Sequence, residues 1–306
     1  MPTWAERPRI TDEERDEVVL PLARLAAVRR RHDLARRAAL AALHPALSAT
    51  AADPPAAAPA AARDDAGTGG PSGPSTDRGP GSAPGWVVGV AGGVAVGKST
   101  VARLLAELLP AEVGGPVVVV SIDGFLRTNA ELDERGLTAR KGAPETYDLA
   151  ALRTLLTDVR AGTAATDAPV YAHRLQDRDP GRTIRVDAPA VLVLEGLSAL
   201  AGPDTGGVAD LVDLGVYVDA AEDDARAWYL DRFRAWRVAA AEDEGAYLHR
   251  IADMPDADAD ALALHVWDET NAPNVREHVL PTRAHADVVL EKGPDHRVER
   301  VLVRPV

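Results

Sequence analysis

Large apolar residues fall into two kinds of segment that alternate along the chain. Short, largely apolar runs occupy 86–91, 117–122, 190–196 and 211–219. Such runs predict strands buried on both faces, the pattern of a parallel sheet. Residues 168–173 predict a short extended piece, and 286–291 a last strand. Between them lie stretches with apolar residues every three to four positions. One is 100–109. Another is 149–159, with Leu152, Leu155, Leu156 and Val159 on one face. A third, from about 221, holds Trp228, Tyr229, Arg232, Phe233 and Trp236, and a fourth spans 258–271 and should end before Pro273. Near the N-terminus, Thr11-Asp12-Glu13-Glu14 reads as a capping box. It opens a helix with a Val18, Val19, Leu22, Leu25, Ala26 stripe, which Pro21 should kink or restart, and a second helical stretch is expected over 33–43. Strands alternating with helices predict an α/β fold, a mostly parallel sheet with helices on both faces.

The pattern fails in one place. Residues 45–85 are mostly Pro, Ala, Gly, Ser and Asp with almost no large apolar side chain. Too little apolar surface is available there to offset ordering, which predicts a disordered tether. It divides the chain into N-terminal helices (1–44), the tether (45–85) and a main body (86–306).

Composition narrows the partners. The 306-residue chain has a formal net charge of -13, which argues against nucleic acid as the main partner. Arg29, Arg30, Arg31, Arg36 and Arg37 form a local basic stretch, read as a solvated face paired with the acidic body. Of 34 Lys and Arg residues only Lys98, Lys141 and Lys292 are lysines. Cysteine is absent, which removes disulfides and thiolate chemistry. No run approaches the roughly 20 apolar residues of a membrane span, and no apolar signal core follows Met1. The expectation is a cytoplasmic protein with no membrane partner.

The first strand leads into Gly92-Gly93-Val94-Ala95-Val96-Gly97-Lys98-Ser99, a match to G-x-x-x-x-G-K-[ST], followed by a helix that starts with Thr100. Strand, glycine loop and helix form a phosphate cradle: backbone N–H groups curl round the anion, and the helix start adds partial positive charge. Lys98 would reach the β- and γ-phosphates, and the Ser99 hydroxyl would ligate Mg²⁺. Asp123 ends the second strand, where ligands of α/β sheets sit, with Gly124 permitting close approach. It is the candidate base. Glu195 ends another strand and is the rival, or the Mg²⁺-orienting carboxylate. Arg232, among aromatic residues, can clamp a transferring phosphate or stand as a solvated cation. Tyr171 and His173 alternate with Ala172, so both side chains face one way and can line a polar pocket.

These stretches, in order and spacing, resemble the prokaryotic type I pantothenate kinases. The resemblance rests on 92–100, Asp123-Gly124-Phe125-Leu126, 134–137, Lys141-Gly142-Ala143-Pro144-Glu145-Thr146-Tyr147-Asp148, 168–173 and Leu194-Glu195-Gly196-Leu197. Tyr217-Val218-Asp219-Ala220, Trp228-Tyr229 with Arg232-Phe233, Leu280-Pro281-Thr282-Arg283 and Leu20-Pro21-Leu22-Ala23-Arg24-Leu25 extend it over nearly the whole chain except the tether. It implies a three-layer α/β/α P-loop fold for 86–306 and ATP-dependent phosphorylation of pantothenate towards coenzyme A. It further implies Asp123 as base, Lys98 and Arg232 as stabilisers of the moving phosphoryl group, and Tyr171, His173, Tyr229 and Asn271 as pantothenate contacts. Arg103 and His173 match positions that bind coenzyme A as a feedback inhibitor, and the family is dimeric. This chain departs from the family at Ser198, Ala272, Pro273 and Trp236, which bears on pocket shape.

Two other functions fit the loop: a uridine kinase or phosphoribulokinase-like enzyme, and a nucleotide-binding regulatory protein. The former would not carry the Tyr171/His173 pair with Trp228-Tyr229-x-x-Arg232. The latter is supported only by the long insert. If 45–85 is a tether, deleting residues 46 to 84 leaves kinase activity within about twofold of the full chain. Loss of folding, read by circular dichroism, would make the insert structural.

Overall fold

The computed structural model describes residues 10–43, 84–163 and 165–305. The tether reading therefore lies outside the described residues, apart from Pro84 and Gly85. The strands are β1 (Trp86–Gly92), β2 (Val117–Ser121), β3 (Ala165–Ala172), β4 (Asp177–Asp187), β5 (Val191–Glu195), β6 (Leu214–Ala220), β7 (Val288–Lys292) and β8 (Val298–Val303). Six of them form one sheet in the order β2-β5-β1-β6-β7-β8, and β3 pairs with β4 in a separate hairpin. All pairs in the large sheet are parallel except β7 with β8.

β1, β5 and β6 are buried on both faces as their apolar runs predict, whereas β2, at the sheet edge, is half-buried over Val117, Val118 and Val119; β1 shows how the burial is built. Val88 and Val90 belong to one core with Leu105 and Leu109, while Val87 and Ala91 belong to the other with Leu152 and Leu156. Successive side chains of a strand point to opposite faces, so one strand feeds two cores. The first core is covered by α1 (residues 12–43) and α2 (Lys98–Val113), the second by α4 (Leu149–Ala161), with the short α3 (Asn129–Glu134) preceding it in the chain. This is the three-layer α/β/α arrangement, with the phosphate loop joining its central strand to α2.

The structure corrects the expected elements at four points. The extended piece at 168–173 is half of a hairpin, whose second strand, β4, has a mostly polar, half-exposed sequence that shows no apolar alternation. Strand 286–291 is not the last, because β8 adds an antiparallel edge with exposed Val301, Leu302 and Val303. The two N-terminal helical stretches are one helix, and the helix expected to end before Pro273 continues through a series of turns to His285.

One cause underlies both helical corrections. A proline inside a helix lacks the N–H for its i−4 bond and its ring clashes with that carbonyl. Here Pro21, Pro273 and Pro281 each stand two residues after a five-residue π turn: Arg15–Val19, Trp267–Asn271 and Val275–Val279. In each the residue before proline closes the wider ring, as Ala272 N–H does to Trp267 O. The shift of register accommodates the ring, so the chain stays helical.

The N-terminal helix is held by its apolar stripe and oriented by its charges. Val19, Leu22, Ala23 and Ala26 are buried in the first core. At about 1.5–3 kcal/mol for each large side chain, burial outweighs exposed ion pairs at about 0–1 kcal/mol. The arginines fix where the helix lies. Arg29 pairs with Asp287 at 2.8 Å, Arg30 donates to Ala190 O at 3.2 Å, and Arg37 pairs with Asp213 at 2.8 Å. Asp213, 5% exposed, also accepts from Arg160 at 2.6 Å and from Val87 N–H at 2.9 Å. The expected pairing with the acidic body is what the structure shows for Arg29 and Arg37. Asp213→Ala should lower unfolding free energy by about 2–4 kcal/mol, because it strands two cations and a backbone donor. Arg37→Ala should cost about 1 kcal/mol or less, and equal small losses in urea titrations would contradict this anchoring.

Candidate active site

The site lies where β1, β2 and β5 end. β2 and β5 are paired with Ser121 opposite Glu195, so the residues that follow both strands meet beside the phosphate loop. Gly97 caps α2 at φ +97°, no side chain caps this helix start, and its first turn carries no carboxylate. The start of α2 thus keeps its partial positive charge for an anion. Gly92 and Gly93 are buried at the end of β1, Val94 and Ala95 are half-buried, Val96 is buried in the first core, and Thr100 is buried at the start of α2. Lys98 Nζ donates to Gly93 O at 2.6 Å, and Ser99 Oγ donates to Glu195 Oε2 at 3.2 Å.

The two candidate carboxylates have different surroundings. Glu195 is buried, and burial first and the Asp123 charge second push its carboxyl above the usual 4.5, against Lys98 and hydrogen bonds from Ser121 and Ser99. Asp123 is half-buried and faces the Tyr147 hydroxyl at 3.5 Å. Tyr147 is itself buried, and burial with the Asp123 charge keeps its phenol protonated. Asp123 is positioned by Gly124. A Cβ at Gly124 would lie 2.1 Å from Pro169 O of β3. The close approach read from the sequence is therefore to the β3 backbone.

Around this centre the chain builds a polar wall. Tyr171 and His173 contact edge to face with ring centroids 5.3 Å apart, as their alternation predicts. His173 stacks on Trp236 at 5.1 Å, and the Arg232 guanidinium lies 4.8 Å from the Trp236 ring centre. Arg232 and Trp236 come from α5 (Glu222–Ala240), so one ladder ties that helix to the β3 turn. Tyr229, on the same helix, contacts Trp267 at 5.3 Å and bonds Asn271. Burial raises the phenols of Tyr171 and Tyr229, which stay neutral donors. Arg103 is exposed on α2, one turn from Ser99.

Sequence reasoning assigned no separate role to Lys141 and Asn274. Lys141 Nζ donates to Asn129 Oδ1 and Gln176 O, both at 2.6 Å, and lies 5.3 Å from the Tyr171 ring centre. Burial lowers its ammonium pKa, against the Asp177 and Asp123 charges. Asn274 Nδ2 donates to Gly142 O at 3.1 Å, joining the 141–148 segment to the helical turns that carry Asn271. The scarcity of lysine was a signal for Lys141; nothing in the sequence singled out Asn274.

The donors at the loop suit a hard divalent cation. A hydroxyl and a carboxylate 3.2 Å apart beside a phosphate cradle fit Mg²⁺, which keeps waters and takes phosphate oxygens rather than a full protein cage. No group of three or more His, Asp or Glu with metal-site geometry occurs among the described residues.

Comparison with known proteins decides the family. Residues 87–259 match the model of the phosphoribulokinase / uridine kinase family. The chain is 48% identical over 223 residues to a pantothenate kinase from Sorangium cellulosum, covering 72% of each chain. It is 42% identical over 230 residues to one from Bacillus velezensis, again covering 72% of each. The chain belongs to the pantothenate kinase family. A solved D-glycerate 3-kinase from Cryptococcus neoformans, 15% identical, shares the fold with a TM-score of 0.50 over 72% of this chain and 90% of that one. No helix among the described residues of this family member is long and apolar enough to cross a membrane.

The raised carboxyl of Glu195 predicts a pH effect. Its folded pKa exceeds 4.5, so its contribution to stability is present below pH 4.5 and is lost as pH rises through the folded value. At pH 8 without nucleotide, Glu195→Gln should melt higher by about 2–4 °C per kcal/mol relieved. The gain should vanish below pH 4.5. A lower melting temperature at pH 8 would contradict the burial cost.

Proposed function

We propose that the chain transfers the γ-phosphoryl group of ATP to the 4′-hydroxyl of pantothenate, giving 4′-phosphopantothenate, the first step of coenzyme A biosynthesis. The observation that carries this is 42–48% identity, over 72% of the chain, to proteins named pantothenate kinase. The tie of Ser99 to Glu195, with Asp123 nearby, and the row of ring contacts Tyr171, His173, Trp236 and Arg232 support it.

Asp123 takes the proton of the attacking hydroxyl. Its half-buried position at the end of β2 leaves it reachable, whereas Glu195 is buried against Ser99. Glu195 and Ser99 hold Mg²⁺, which when bound neutralises charge on the phosphate oxygens. Lys98 and Arg232 stabilise the charge on the moving phosphoryl group, and Arg232 is held against the Trp236 ring. The protonated phenols of Tyr171 and Tyr229, with His173 and Asn271, bind the acceptor's polar groups. Gly92 to Thr100 cradle the triphosphate.

The reading extends to regulation and assembly. Arg103 and His173 are both exposed, which leaves them reachable by coenzyme A as a feedback inhibitor competing with ATP. The active form is a homodimer in the cytoplasm. The N-terminal helices (1–44) belong to the same kinase body as the P-loop domain (86–306), with 45–85 as the tether between them.

With Mg²⁺-ATP, ADP release should depend on pantothenate and not on uridine or ribulose 5-phosphate. Turnover with uridine alone would sink this reading. Asp123→Asn should lower kcat by about 10² or more while ATP affinity holds; near-wild-type turnover would remove Asp123 from its role.

A further inference from the structure

Lys292, at the end of β7, belongs to none of the motifs that define the site, yet it reaches the phosphate loop. It is 8% exposed. Its Nζ donates to Val96 O at 3.3 Å and would lie 3.2 Å from a Cβ built on Gly97. It also lies 5.7 Å from the ring centre of Trp228, which stacks on His296 at 4.0 Å and donates to Pro294 O at 3.3 Å. The turn between β7 and β8 is thus clamped to α5, and the ammonium projects from it onto the loop. Lys98, Lys141 and Lys292 are the chain's three lysines. One bonds the loop at Gly93, one is half-buried within reach of the Asp123 charge, and one bonds the loop at Val96. In a chain that uses arginine elsewhere, lysine stands where a compact ammonium is needed.

We infer that Lys292 is a positioning residue for the nucleotide, acting through the Val96–Gly97 peptide. In a trans peptide the C=O and N–H point in opposite directions. Holding the Val96 carbonyl on Lys292 therefore turns the Gly97 N–H away from the ammonium and fixes the peptide that opens α2. Gly97 has a left-handed backbone, φ +97°, so this peptide is free to rotate unless something restrains it. The ammonium also adds positive charge behind the cradle. A buried ammonium costs stability that an apolar side chain of the same length does not, so its retention follows from what it does to the loop. The inference rests on the ATP half of the proposed reaction and not on the identity of the acceptor.

Lys292→Met, Lys292→Gln and Lys292→Arg test it, with folding checked by circular dichroism. Mg²⁺-ADP binding is measured by calorimetry with no acceptor present, and the pantothenate KM at saturating ATP separately. Losing a charge-assisted hydrogen bond should weaken Mg²⁺-ADP binding about tenfold in the Met and Gln variants. The pantothenate KM should stay within about twofold, and Arg, which restores a donor, should recover affinity to within about threefold. Three results would overturn the inference: Mg²⁺-ADP binding within twofold of wild type in a folded Met or Gln variant, equal losses for ADP and pantothenate, or failure of both uncharged variants to fold. The binding arm holds no acceptor, so failure of the pantothenate reading would leave it standing.

Discussion

Two carboxylates beside one phosphate loop set the terms for this site. Glu195 ends β5 and Asp123 follows the neighbouring parallel strand β2, and the Asp123 charge adds to burial in raising the Glu195 carboxyl. The protein answers with different surroundings. Glu195 is buried and takes hydrogen bonds from Ser99 and Ser121, with Lys98 nearby. Asp123 is left half-buried against a neutral tyrosine and a lysine. One carboxylate is thereby tied to the loop hydroxyl and the other left half-buried beside it, the difference on which the proposed roles of metal-orienting group and base rest.

Everything on the acceptor side depends on keeping Asp123 in that place. Gly124 lets β3 cross at contact distance, and β3 delivers Tyr171 and then His173. Lys141 joins the β3–β4 turn to Asn129, while Asn274 joins the 141–148 segment to the turns bearing Asn271. The helix with Arg232 closes the ring through Trp236. Trp236 and Pro273 are both absorbed by their surroundings. The tryptophan stacks between His173 and Arg232, and Pro273 is accommodated by the π turn before it.

What the sequence made legible follows from how each feature is encoded. The buried parallel strands announce themselves as apolar runs, and the phosphate loop is a contiguous motif whose glycines, lysine and serine have separate jobs. Asp123 and Glu195 were found because they end such runs. β4 and β8 were missed because neither is an apolar run: β4 is mostly polar, and β8 is a mixed edge strand. Pro21 and Pro273 misled because proline ordinarily ends helices, and a π turn leaves no mark in residue type. The contacts of Asn274 with Gly142 and of Lys292 with Val96 span long sequence separations, which no local pattern records.

The division of labour between the carboxylates is measured most directly by the Mg²⁺ dependence of turnover in Asp123→Asn and Glu195→Gln at saturating ATP and pantothenate. Glu195→Gln should raise the Mg²⁺ concentration for half-maximal rate by about tenfold, as expected for a lost position in the metal's shell. Asp123→Asn should leave that concentration unchanged while the rate falls. A shifted Mg²⁺ requirement in Asp123→Asn with an unshifted one in Glu195→Gln would contradict the assignment.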